Sequence, residues 1–192
     1  MTGRPPGRRV APPNPPLEIQ LRAESRRWST FGKLSELRLR VAKACDAALA
    51  VAPLKPLDGA ELNILLTDDA RIRRVNRDWR GFDKATNVLS FPAAPPDRIA
   101  KCPALGDIVL AHETLAREAQ EEGKSLDDHF SHLVIHGLLH LLGEDHETEA
   151  EADRMEALEI EALARLGIRD PYADSEPVAA AAKNPARQSP SS

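Results

Sequence analysis

The chain has 192 residues, 42% hydrophobic but only 4% aromatic, with a formal net charge of −4 and a pI near 5.9. That length suits one domain whose core is built from Leu, Val, Ile and Ala, and a body of ~150 residues buries roughly 70% of the surface its unfolded chain exposes. No run approaches the ~20 apolar residues of a membrane span and no apolar segment follows the basic N-terminus, so the expectation is a cytoplasmic protein, neither exported nor membrane-embedded; the negative balance argues weakly against nucleic acid as partner.

Residues 1–16, rich in Pro, Arg and Gly, lack apolar periodicity, and residues 173–192 are mostly Ala, Ser, Pro and Asn. Both read as disordered tails around a folded domain at 17–172. Leu17 to Leu21 alternates at period two and predicts a strand, Leu34 to Val51 has helical spacing, and Glu61 to Thr67 predicts a second strand. Thr67 or Asp68 caps a helix running to about Trp79, with Ile72, Val75 and Trp79 on its inner side and Arg73, Arg77 and Arg80 on another face. Val88 to Pro92 and Asp107 to Ala111 predict two more strands, joined by a loop holding Pro95, Pro96, Cys102 and Pro103. Cys45 and Cys102 show no disulfide or metal spacing and read as free thiols in a reducing cytosol.

Glu113 to Glu122 is helical, Ser125 caps the next helix, and Glu147 to Leu166 forms a last helix closed by Gly167. The sum is an α+β single domain, a four-stranded sheet packed with about five helices. Charge is segregated: Arg71 to Arg80 holds five arginines against one aspartate, whereas Glu144 to Glu161 holds nine acids against Arg154 alone. The acidic run reads as a solvated helix face.

All six histidines, His112, His129, His132, His136, His140 and His146, fall between residues 112 and 146. On a helix rising ~1.5 Å per residue, His136 and His140 stand one above the other, ~6 Å apart. Gly143 then adopts the left-handed conformation that ends the helix and folds His146 back as a third ligand. The spacing H-x-x-x-H-x-x-G-x-x-H is that of a metalloprotease zinc helix, but Gly137 stands where the protease has its glutamate base, a factor typically worth ~10²–10⁴. Three neutral imidazoles leave a divalent ion with an open position, as in catalytic zinc, although nickel, copper or cobalt also suit imidazole. His129 and His132, further along the helix, read as hydrogen-bonding partners of the ligands or as solvated residues.

A second segment, Asn76-Arg77-Asp78-Trp79-Arg80-Gly81-Phe82-Asp83-Lys84-Ala85-Thr86-Asn87-Val88-Leu89-Ser90-Phe91-Pro92, joins an arginine pair to a polar loop and an apolar strand. Together with Gly106-Asp107-Ile108 and the segment His136 to His146, it resembles the YbeY family of bacterial endoribonucleases over about residues 17–172. Glu144 departs from that pattern, where the family usually has tyrosine. The resemblance implies a single-strand-specific endoribonuclease acting in maturation of the 16S ribosomal RNA 3′ end and in late-stage 70S ribosome quality control. It implies one Zn²⁺ held by His136, His140 and His146, and Arg80 as the functional arginine, a guanidinium able to clamp the scissile phosphate. It further suggests the small ribosomal subunit and an Era-type GTPase as partners.

Two rival functions are weighed against this one: a metalloprotease, and a non-catalytic ribosome assembly factor whose metal only tightens the fold. The sequence leaves open the metal's identity, the choice of water or the RNA 2′-hydroxyl as nucleophile, and the base, with Asp145 and Glu144 the nearby carboxylates.

Overall fold

The computed structural model describes residues 17–173, in which four strands and seven helices follow one another. They are β1 (Leu17–Ala23), α1 (Trp28–Phe31), α2 (Leu34–Val51), β2 (Ala60–Thr67), α3 (Asp69–Arg80), β3 (Val88–Pro92), α4 (Pro96–Ile99), β4 (Ala104–Ala111), α5 (His112–Glu121), α6 (Leu126–Leu141) and α7 (Glu149–Arg165). Five helices are long, as expected; α1 and α4 are single turns, the second lying in the expected Pro95-Pro96 loop. The expected tails, 1–16 and 173–192, lie outside the described residues apart from Ala173.

Helix starts follow local chemistry. Asp68 Oδ1 accepts from Arg71 N at 2.9 Å to begin α3, and Ser125 Oγ accepts from Asp128 N at 3.0 Å to begin α6, each satisfying an amide that the helix itself leaves unpaired. Thr148 and Glu151 cap α7 reciprocally.

The sheet order is β1-β2-β4-β3; the first three strands run parallel, and β3 lies antiparallel along β4 at the edge. Successive side chains on a strand face opposite ways, which divides the sheet's apolar residues between two cores. Leu62, Ile64, Leu66, Ile108 and Leu110 join α2, α6 and α7 in the larger core. Leu89 and Val109 pack with Ile72 of α3 on the other face, with Val75 and Phe91 against them. Helix α6 is buried along most of its length between sheet and helices, its histidines His129, His132, His136 and His140 forming one polar stripe. Trp28 closes one end of this core, its ring 5.6 Å from Phe130 and its indole N–H donating to Thr67 O at 2.8 Å.

Two expectations fail. Trp79 is not on the inner side of α3: it is 76% exposed, and Asn76 takes the buried position instead, donating to Lys84 O at 2.9 Å. A polar side chain anchoring the following loop won the place that apolar spacing assigned to the indole. The acidic run is not uniformly a solvated face either, because Glu144 and Glu159 are buried at 7% and 1% exposure. The cysteines carry free thiols, Cys45 buried and Cys102 half-buried.

Candidate metal centre

Helix α6 delivers His136 and His140 one turn apart, and its last turn is closed as a Schellman turn. Gly143 N donates to His140 O and Glu144 N donates to Leu139 O, both at 3.0 Å. Gly143 sits at φ 93° with an ideal Cβ only 2.9 Å from Pro96 Cβ, so both conformation and space require glycine there. The reversal brings His146 back over the end of α6. Its ring centroid lies 4.9 Å from that of His140 and 5.6 Å from that of His136, and the three ligating nitrogens fall within 4.8 Å of one another. This is the predicted trio; among the described residues searched, no fourth His, Cys, Asp or Glu joins the group.

The hydrogen bonds at the far side of each ring decide which nitrogen faces inward. His136 Nδ1 lies 2.6 Å from Glu159 Oε1 and His140 Nδ1 lies 2.9 Å from the Glu144 carbonyl oxygen. Carboxylate and carbonyl only accept, so both Nδ1 atoms carry the proton and both Nε2 atoms present lone pairs. Those two lone pairs meet at 3.1 Å. Two acceptors so close repel unless a cation lies between them, and 3.1 Å is near the ~3.3 Å that two nitrogens bound ~2.0–2.1 Å from one tetrahedral zinc keep. The donor set therefore fits a divalent metal ion. Burial first, then the neighbouring His136, pushes His140 down to about 4, so it stays neutral and available as a ligand at neutral pH.

Glu159, from the middle of α7, is the residue that sequence reasoning missed. Its carboxylate takes Nδ1–H of His136, Nε2 of His132 at 2.9 Å and the hydroxyl of Tyr172. Burial raises its pKa, but the two histidine hydrogen bonds outweigh burial and hold the group well below the usual carboxylate range. Burial, and then the Glu159 carboxylate beside it, push the Tyr172 hydroxyl up, so it remains a donor. His129 belongs to a parallel arrangement: its Nε2 is 3.1 Å from Glu118 Oε2, which also accepts from Asn87 Nδ2 at 2.8 Å. These bonds hold Glu118 below its ordinary value despite its burial. His129 and His132 thus face carboxylates rather than the metal trio, and His112 packs edge-on against Trp28, 5.3 Å away. A signal for Glu159 existed in the sequence: it follows Met155 and Leu158 and precedes Ala162, apolar positions of one helical face.

The two carboxylates expected near the histidines part ways. Glu144 is buried and bound to Arg154 at 2.6 Å, whereas Asp145 is exposed and uses Oδ1 to accept from His146 N at 2.8 Å. Gly137 packs face-on against the sheet, and a Cβ there would lie 3.1 Å from both Ser90 Oγ and Ile108 Cγ2. A side chain at 137 would press on Ser90 and Ile108 of the sheet, so a glutamate there would have to displace this packing.

Arg80 arrives from the opposite face of the sheet. At the end of α3 it bends over the edge strand β3, donates from Nη2 to Ser90 O at 3.2 Å and rests 5.8 Å from the Phe91 ring centroid. There it lines the same cleft of about 660 Å³ as His136, His140 and His146, together with Thr86, Asn87 and Asp145. An anion-clamping group and an open metal trio on one cleft can bind and polarise a phosphodiester.

Comparison with known proteins points the same way. The family model described as Endoribonuclease YbeY matches residues 24–167. An "Endoribonuclease YbeY" of Rhizobium meliloti (strain 1021) is 51% identical over 165 residues, covering 84% of this chain and 98% of the relative. A protein of the same name from Rhodopseudomonas palustris (strain BisA53) is 52% identical over 145 residues, covering 74% of this chain and 84% of the relative. The fold is similar to the solution structure of TM1509 from Thermotoga maritima, with a TM-score of 0.50 at 22% identity over 78% of this chain and 92% of that one.

Proposed function

This chain belongs to the endoribonuclease YbeY family, and from that membership we propose a metal-dependent, single-strand-specific endoribonuclease that acts in 16S ribosomal RNA 3′-end maturation and late-stage 70S ribosome quality control. Residues 17–172 form its catalytic domain. The observation that carries the reading is the pair of inward lone pairs on His136 and His140, 3.1 Å apart, in the cleft that Arg80 lines.

His136, His140 and His146 are the ligands and zinc is the ion, one per chain. When bound, zinc supplies Lewis-acid polarisation of a phosphoryl oxygen and lowers the pKa of water. The chain's own groups do the rest. Arg80 clamps the scissile phosphate with paired N–H donors, its guanidinium steadied by the Ser90 carbonyl and the Phe91 face. Asp145 is the carboxylate that takes up a proton, because Glu144 is committed to Arg154. Glu159 and the Glu144 carbonyl hold two of the imidazoles in the tautomer that keeps Nε2 free. The small ribosomal subunit and an Era-type GTPase are the partners this reading assigns. Among the described residues, no helix is long and apolar enough to cross a membrane.

Elemental analysis of the purified protein, combined with RNA cleavage by wild type and His136→Ala, tests ion and activity together. Zinc at one equivalent and cleavage in wild type, both lost in the variant, is the expected result; cleavage that survives without metal would overturn the reading. End-group analysis separates the nucleophiles, since attack by the 2′-hydroxyl leaves a 2′,3′-cyclic phosphate and attack by water does not.

A further inference from the structure

Among the described residues, Trp79 is the most exposed large apolar side chain, at 76%, and Phe82 follows at 66%. An indole left in water at the end of a helix costs hydrophobic stabilisation, and no element among the described residues covers its outer face. Its position is specific. Trp79 is the residue before Arg80, and its ring lies 6.0 Å from Phe91 at 59°, while the Arg80 guanidinium lies 5.8 Å from that same Phe91 ring. Trp79 and Arg80 thus both lie against the Phe91 ring, and Arg80 in turn lines the metal cleft.

The surroundings are basic. Helix α3 carries Arg71, Arg73, Arg74, Arg77 and Arg80; Arg71 is paired with Glu24, Arg73 with Asp83 and Arg77 with Asp78, whereas Arg74 and Arg80 make no ion pair among the described residues. An aromatic face beside the Arg80 guanidinium complements a ligand with a flat π-surface attached to a polyanion. Unstacked RNA bases offer that surface in single strands, while a duplex hides their faces within its own stack.

Resting on the endoribonuclease reading, we propose that Trp79 is a base-stacking platform, on which a nucleobase flanking the scissile phosphate lies while Arg80 holds the phosphate itself. Phe91 braces the indole from beneath, and the platform makes the enzyme select unpaired RNA.

The chain has two tryptophans, and Trp28 is buried at 1% exposure, so quenching of the exposed fluorophore reports on Trp79. Metal-loaded full-length protein is titrated with a 2′-O-methyl RNA single strand, with its duplex, and with an abasic ribose-phosphate strand of equal charge. The single strand is expected to quench strongly and the other two weakly. Trp79→Ala is expected to bind the single strand roughly 5- to 100-fold more weakly, and Trp79→Phe to stay within a few-fold of wild type. In cleavage assays of Trp79→Ala the KM rises by a similar factor while kcat changes little. Equal quenching by the abasic strand, or Trp79→Ala binding and cleaving as wild type does, would overturn the proposal, as would quenching that appears only with self-association of the protein. Wild-type cleavage with Trp79 dispensable sinks the platform alone; a wild type that cleaves no RNA sinks the endoribonuclease reading, and the quenching arm still decides the platform.

Discussion

Replacing Glu159 should weaken metal binding through His136 without touching the metal site directly. The carboxylate is buried and receives three donors, from His132, His136 and Tyr172. In Glu159→Ala all three lose their acceptor; at ~1–3 kcal/mol for each buried donor left unpaired, with His132 and Tyr172 partly rescued by water, the expected loss of fold stability is about 3–5 kcal/mol. His136 is also freed to rotate and to move its proton to Nε2, where it blocks the ligand position, so metal affinity should fall about 10- to 100-fold. Glu159→Gln separates the two effects. Its amide oxygen can still accept from His136 Nδ1–H, and its amide N–H can donate to His132 Nε2, because His132 Nδ1 is buried without a partner and can carry the ring's proton instead. The glutamine variant keeps the His136 bond but leaves His132 Nδ1–H and the Tyr172 hydroxyl without an acceptor, so its stability should fall between wild type and Glu159→Ala, with metal binding weakened by about tenfold. Urea denaturation of the metal-free proteins and zinc competition against a chromophoric chelator measure the two quantities. Glu159→Ala binding zinc as tightly as wild type would refute the argument, because it would mean that the His136 tautomer is set elsewhere.

Arg80→Ala should lower single-turnover RNA cleavage by about 10²–10³-fold, the cost of removing one preorganised donor from a developing charge, with metal content and thermal midpoint unchanged; a parallel loss of metal would contradict a phosphate-clamping role. Gly137→Glu, which restores the protease sequence pattern, should destabilise the fold by about 3 kcal/mol or more through contacts with Ile108 and Ser90 and a buried carboxylate, and should produce no peptidase activity; a stable variant that digests casein would refute that packing argument. Acid should also act in a definite direction. His140 is held down to about 4 against an ordinary 6.5, so the unfolded chain binds its proton first and the metal-free protein loses stability as pH falls from 6.5 towards 4. Glu159 is depressed as well; its contribution is whole above its ordinary 4.5 and is lost only as pH falls through its lower folded value. Urea midpoints across pH 4–7 should show the His140 limb flattened in His140→Gln, and an unchanged slope would contradict it.

Local pattern carried most of the elements because it is a local property. A short apolar run stopped by a proline placed β3 at Val88 to Pro92, matching the observed strand; Ser125, and Asp68 of the candidate pair Thr67 and Asp68, start their helices through side-chain capping that depends only on neighbours within a turn. The metal trio was legible for the same reason, since two ligands share one helix and the third follows a glycine-terminated reversal within six residues. The failures involve contacts that helical or strand periodicity does not record. Trp79 satisfied helical spacing, yet the loop after α3 claimed the inner position for Asn76. Glu159 looked like one acid among nine, and what distinguishes it is burial beneath α6, 23 residues from His136.

Residue pattern alone marks the three histidines able to bind metal, the missing protease base and most of the strands and helices. Folding then sets the tautomers of His136 and His140, the burial of Glu144 and Glu159, and the passage of Arg80 over the sheet edge into the histidine cleft. Side-chain periodicity is written within a few residues, whereas a proton's location on an imidazole and the direction of a guanidinium depend on acceptors that the folded chain brings near.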